Sequence, residues 1–119
     1  MSSDGLYLKW EDFHSNMILS FKEIKEDQDF TDITLVGECN IKIRAHKVIL
    51  ASSSNFFNDF LKENSHPHPL IYMRGITAGT LQAMVDFMYQ GEVGIQKEDI
   101  DDFLSLAKEL DIKGLDGKP

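Results

Sequence analysis

Phe30-Thr31-Asp32-Ile33-Thr34-Leu35-Val36, then Gly37-Glu38-Cys39-Asn40, then Ile41-Lys42-Ile43-Arg44-Ala45-His46-Lys47-Val48-Ile49-Leu50, is the stretch whose reading decides the fold. Polar residues alternate with apolar ones on both sides of a short polar turn. That is the period-two pattern of half-buried strands, so a hairpin is expected over Thr31 to Val36 and Ile41 to Arg44. The second strand runs without a break into Ala45 to Ala51, which reads as a short helix. Ser52-Ser53-Ser54 then interrupts the helical pattern. One of these serines can cap a following helix over Asn55 to Lys62, whose apolar face is Phe56, Phe57, Phe60 and Leu61.

Outward from the hairpin, the N-terminal side carries Leu6-Tyr7-Leu8-Lys9-Trp10, a short apolar and aromatic segment that suits a strand. It has no hairpin partner nearby, so it must pair with a distant strand of its own chain or with a strand of another chain. Asp12 is a candidate N-cap for the next helix. There Trp10, Phe13, Met17, Phe21 and Ile24 recur at spacings of three and four, with Ile18 and Leu19 widening the apolar surface. A helix that is apolar on more than one side meets more than one neighbour. An acidic connector, Glu26-Asp27-Gln28-Asp29, leads into the hairpin.

On the C-terminal side, Asn64-Ser65-His66-Pro67-His68-Pro69 is a turn, because neither proline can continue a helix. Leu70 to Met73 reads as a buried strand. Thr77 or Thr80 is expected to cap a helix carrying Leu81, Met84, Val85, Met88 and Tyr89, and Gly91 to end it. Glu92-Val93-Gly94-Ile95 is a second strand without an adjacent partner. Asp99 to Leu110 is a helix with Ile100, Phe103, Leu104, Leu106, Ala107 and Leu110 apolar. The order is strand, helix, hairpin, two helices, strand, helix, strand, helix. The expected class is α+β, with a small, mostly three-stranded sheet inside a helical shell. The domain is expected over residues 6–115, with a frayed start at 1–5 and the beginning of a linker at 116–119.

The 119 residues fit one domain able to bury a core without disulfides or metals. No apolar run approaches the roughly 18 residues of a membrane span, and the N-terminal residues do not read as a secretory signal. The single cysteine, Cys39, cannot form an internal disulfide, which suits a reducing compartment. A net charge of −8, with the 12 basic residues scattered, argues against direct nucleic-acid contact by this chain.

Four histidines invite a metal reading, but His14, His46, His66 and His68 lack the ligand spacing of a zinc site, and no metal or other cofactor is expected. His46 is expected to pack at the hairpin-to-helix junction and bond backbone. Gly75 to Gly79 lacks the Lys-Ser/Thr of a phosphate loop, and no Gly-x-Ser-x-Gly elbow is present. The carboxylates Glu98, Asp99, Asp101 and Asp102 lie at one helix N-terminus, where dipole compensation accounts for them. No nucleophile and base pair stands out, so the chain is not read as an enzyme.

Several separate motifs resemble a BTB/POZ domain when taken in order. They are Asp32-Ile33-Thr34-Leu35, Ala45-His46-Lys47-Val48-Ile49-Leu50-Ala51, Ser54-x-Phe56-Phe57, and Phe87-Met88-Tyr89-x-Gly91-Glu92-Val93. The opening Leu6-Tyr7-Leu8-Lys9-Trp10 and the Pro67-His68-Pro69-Leu70-Ile71 run are similar to the tramtrack-type subgroup of insect transcription factors. Glu11-Asp12-Phe13-His14 departs from that subgroup's usual run.

The resemblance implies a nuclear protein-interaction module of a transcription factor or chromatin protein, a homodimer that assembles into larger multimers. It implies that the first strand is exchanged between subunits and pairs with the segment near Val93 and Ile95, so that both orphan strands are satisfied. It places Leu6, Tyr7, Leu8, Trp10, Phe13, Met17, Phe21, Ile24, Val93 and Ile95 at the interface, and Asp32 and Lys47 in a charged pocket near the dimer seam. The partners it implies are the chain itself, other BTB proteins and co-regulators. A substrate adaptor for a cullin-type ubiquitin ligase is the alternative of the same fold, for which Leu61-Lys62-Glu63 is a weak motif match.

Overall fold

Ile33–Val36 (β1) is buried along its whole length, and the rest of the fold is arranged around it. In the computed structural model, which describes residues 4–115, β1 is the middle of a three-stranded sheet. Lys42–Ala45 (β2) pairs with it antiparallel and Leu70–Tyr72 (β3) parallel, in the order β2-β1-β3. The expected frayed start at 1–5 and linker at 116–119 fall, apart from Asp4 and Gly5, outside the described residues.

The hairpin forms as expected, with its strands shifted by one or two residues. Only β2 keeps the alternation of a half-buried strand. In β1, Thr34 and Val36 are buried too. Register explains this: Thr34 lies between Arg44 and Leu70, and Val36 between Lys42 and Tyr72. Short β-branched residues in a middle strand are thus walled in by long neighbours on both sides. The converse correction holds for β3, an edge strand in which Leu70 and Tyr72 are exposed and not buried.

The turn between β1 and β2 is a 3-10 turn over Glu38–Asn40. Gly37 begins it where space is tight: an added Cβ would stand 3.0 Å from the Ile76 carbonyl oxygen. That approach lets the Glu38 N–H donate to the same oxygen at 2.8 Å, tying the hairpin to the loop after β3.

Five helices are described. Phe13–Glu26 (α1) packs on Ala78–Gln90 (α4); Lys47–Ser53 (α2), Asn55–Glu63 (α3) and Ile100–Leu110 (α5) complete the shell. Ser54 caps α3, its Oγ accepting from the Phe57 N–H at 3.1 Å while it donates to the Leu110 carbonyl. Thr77 caps α4 through the Thr80 N–H at 3.2 Å. Gly91, at φ 79°, takes the left-handed turn that stops α4. Asp12 does not cap α1 with its side chain. Its backbone, at φ −98° and ψ 23°, is outside the extended region that folds a cap back onto the helix, and its carbonyl instead accepts from Asn16.

The core joins Ile33 and Leu35 of β1, Ile49 and Leu50 of α2, Phe57 of α3, Leu81, Met84 and Val85 of α4, and Phe103 and Leu106 of α5. Beyond α5, Ile112 is buried and bridges to Ser54, closing the end of the chain onto the α2–α3 junction.

Candidate interaction surface

The helix α1 has no buried residue. Its expected stripe divides between faces. Met17 and Ile24 are half-buried, while Phe13, Ile18, Leu19 and Phe21 are exposed. Trp10 packs edge-on to Phe13 with ring centres 5.2 Å apart, so the stripe continues onto the preceding segment. Lys25 donates to Asp86 of α4 at 3.1 Å, and Ile24 rests against the core. The chain's own core therefore absorbs only part of the apolar surface of α1.

Two segments read as strands are not strands in the single chain. Leu6 to Trp10 has no ladder partner among the described residues, and Tyr7 is 89% exposed. Glu92 to Ile95 likewise forms no strand, although Val93 and Ile95 rest against the core. Strand-favouring residues do not suffice, because a strand exists only with a neighbour.

Where α1 ends, an apolar cavity of about 280 Å³ opens. Phe21 and Ile24 form one wall, Val48, Ile49 and Ser52 of α2 the other, and Asp27, Asp29, Phe30 and His46 the rim and floor. Phe30 is 91% exposed and sits at φ 66°, left-handed backbone that a bulky side chain rarely adopts. Sequence reasoning missed Phe30 and Val48. Val48 had a signal, since three consecutive apolar residues in a short helix cannot all face inward, and Val48 is the one turned out. The backbone angle of Phe30 left no trace in the sequence.

Asp32 and Lys47 come together differently from an ion pair. Asp32 Oδ1 accepts from the backbone N–H of Lys47 at 2.7 Å, satisfying a donor at the start of α2. The Lys47 ammonium turns away and donates to the His66 carbonyl at 2.6 Å. The pair is a fastening of β1, α2 and the proline turn. In that turn His68 Nε2 lies 2.8 Å from the Thr34 hydroxyl.

His46 is buried at the hairpin-to-helix junction, as expected, and its Nε2 faces the Asp29 carbonyl at 3.2 Å. It also meets the Tyr89 hydroxyl through both its backbone N–H and Nδ1. Burial pushes the Tyr89 phenol up to about 12; the backbone bond from His46 opposes that shift and the Asp32 charge adds to it. Among the described residues, no three His, Cys, Asp or Glu converge to hold a metal. Leu61 of the weak adaptor motif rests against the core, with Lys62 and Glu63 exposed.

The described residues thus form an α+β domain that leaves part of a helix stripe and an aromatic arm uncovered. The chain belongs to the BTB/POZ domain family, which it matches over residues 21–118. It is 41% identical over its whole length to the Drosophila melanogaster longitudinals lacking protein-like, covering 94% of that protein. To the Drosophila melanogaster protein tramtrack, alpha isoform, it is 33% identical over its whole length, yet spans only 15% of that protein. The BTB domain of zebrafish PATZ1 has the same fold, with a TM-score of 0.76 at 19% identity over 93% of this chain and 91% of the other.

Proposed function

We propose that the chain is a self-association module of a nuclear protein that regulates transcription, forming a homodimer and from it larger multimers, with no catalytic step of its own. The observation that carries this reading is α1, a fourteen-residue helix with none of its residues buried, beside an apolar cavity of about 280 Å³. Burying that surface against a second copy requires one patch to meet itself, as a twofold dimer does.

The arm Leu6 to Trp10 pairs with Glu92 to Ile95 of the second copy, giving both segments the ladder they lack in the single chain. Tyr7 and Trp10 supply large aromatic anchors. Asp32 and Lys47 line the seam, where they fix the start of α2. Other BTB proteins and co-regulators are further partners. The net charge of −8 leaves DNA contact to another region or another chain. Support for the regulatory setting comes from family membership and the likeness to tramtrack along the whole chain.

Light scattering on the chain tests this. A mass of two or more copies of 13.6 kDa is expected, reduced on removal of residues 1–10 and again by Phe21→Asp. A monomer at micromolar concentration overturns the reading, and an unchanged mass after the truncation removes the arm from it.

A further inference from the structure

β2 is an edge strand: β1 covers one side of it, and the sheet ends on the other. The ladder shows which backbone groups face the open side. Thr34 donates its N–H to the Pro69 carbonyl, and the Val36 carbonyl accepts from Met73, so both residues turn their backbone toward β3. Arg44 lies opposite Thr34 and Lys42 opposite Val36. These are therefore the antiparallel pairs that exchange no hydrogen bonds, and the N–H and C=O groups of Lys42 and Arg44 point away from β1. Along that edge a cavity of about 590 Å³ opens, walled by the end of α1 and by α4. Its charge is unlike that of the chain. Lys25, Lys42 and Arg44 meet Glu26 and Asp86 there, which leaves one positive charge in excess on a protein of net charge −8. Both carboxylates lie against Lys25, Asp86 at 3.1 Å and Glu26 at 3.6 Å. Lys42 and Arg44 are exposed and form no ion pair among the described residues.

We infer that the open edge of β2 docks an extended acidic segment of a partner protein, which adds to the sheet as a fourth strand in this cavity. The outward N–H and C=O groups of Lys42 and Arg44 supply the ladder. Side chains of the added strand alternate between its two faces. Acidic residues fall beside Lys42 and Arg44, and the apolar residues between them fall on the side of Ile43, which lines the cavity with Val85 and Tyr89 of the core. Opposite charges on facing residues stabilise a strand pair, and like charges destabilise it. That disfavours a second copy of the same edge, since antiparallel pairing about Ile43 would set Lys42 against Arg44. A nucleic-acid backbone fits less well, because the outward carbonyls can only accept and would face phosphate oxygens. None of the residues proposed for self-association lines this cavity, so the site does not rest on that reading.

The test is fluorescence anisotropy of the whole chain with labelled peptides of about eight residues. One alternates glutamate with valine, a second alternates lysine with valine, and a third has the first composition with its glutamates grouped at one end. The alternating acidic peptide is expected to bind at least about tenfold more tightly than either of the others. Methylating its backbone nitrogens is expected to abolish binding while every charge stays in place. Lys42→Glu combined with Arg44→Glu, both at exposed positions, is expected to transfer the preference to the lysine peptide, with light-scattering mass and circular dichroism unchanged. Equal binding of the grouped or the methylated peptide overturns the inference, because charge without a ladder would then suffice. It is also overturned by a folded double variant that keeps the acidic preference, by a single-stranded DNA oligonucleotide that binds as tightly as the acidic peptide, or by an acidic peptide that does not bind at all. The peptide comparisons use the unaltered chain, so they decide the matter even where the double variant fails to fold. A chain that binds the acidic peptide as a monomer overturns the self-association reading and leaves this one standing.

Discussion

The two ends of this domain use the same kinds of residue to opposite effect. Around α3, the inward-facing groups are spoken for, although Phe56 is as exposed as Phe21 of α1. Phe57 is fully buried, Ser54 both accepts from α3 and donates to α5, and Ile112 closes over the junction. Around α1, Phe13, Ile18, Leu19 and Phe21 face outward, and an ion pair to α4 and the half-buried Met17 and Ile24 do the fastening. Apolar content alone does not separate the halves, since both helices carry phenylalanines at helical spacing. What separates them is whether a facing element exists within the chain. The α3 half buries its inward face within the chain, and in the proposed reading the α1 half is completed by a second copy.

The sharpest way to break that comparison is to make the same substitution in both halves. Phe57→Ala removes a ring with no exposed surface and is expected to destabilise the fold by about 3–5 kcal/mol. Phe21→Ala removes a ring already 40% exposed and is expected to cost about 1 kcal/mol or less at high dilution. With increasing protein concentration the second penalty should grow, because association contributes to apparent stability only where copies meet. Urea titrations at two concentrations check both. Equal penalties at the two positions would show that α1 belongs to the core after all.

The same contrast governs how much could be read from the sequence. The α3 half was legible because its determinants are local: a serine cap and phenylalanines on one face act within a few residues. The family motifs lie largely in that half and around the hairpin. What escaped was set by topology. Thr34 and Val36 look like solvent-facing positions of a half-buried strand, and only the sheet order β2-β1-β3 buries them. Asp32 and Lys47 suggest an ion pair by charge, whereas the donor to the carboxylate is the backbone N–H of Lys47. Leu6 to Trp10 and Glu92 to Ile95 have strand propensity without a ladder among the described residues.

A smaller effect should appear in alkali. Tyr89 is neutral in the fold, with its phenol pushed up from 10.0 to about 12. Below pH 10 both the folded and the unfolded phenol keep their proton, and the contribution to stability is fully present. As pH rises from 10 toward 12 the unfolded chain ionises first, so stability falls through that window. Tyr89→Phe should lower stability at neutral pH by removing the partner of His46, and should flatten the decline between pH 10 and 12. A decline of unchanged steepness in the variant would assign it to other groups. The measurement sharpens the comparison because Tyr89 belongs to the finished half while its hydroxyl reaches the rim of the open one.

The smallest expected effect lies on the joint between the halves. Lys25 of α1 and Asp86 of α4 are 3.1 Å apart, with side chains mostly covered, and Asp86 also accepts from Gln82 at 2.9 Å. Removing either member is not equivalent. Lys25→Ala leaves Asp86 with the Gln82 amide, so the carboxylate keeps a partner, and a loss of about 0.5–1 kcal/mol is expected. Asp86→Ala takes the acceptor from the Gln82 amide and leaves the partly covered Lys25 ammonium only the exposed Glu26 carboxylate at 3.6 Å, and should cost more. Thermal melts at low and high salt separate the cases, because a screened pair weakens with salt while an amide left unpaired does not. If the two variants cost the same, the Gln82 bond adds nothing, and α1 is held by its half-buried Met17 and Ile24 instead of by charge. That outcome would place the boundary between the finished and the open half within α1 itself, along the line between Met17 and Phe21.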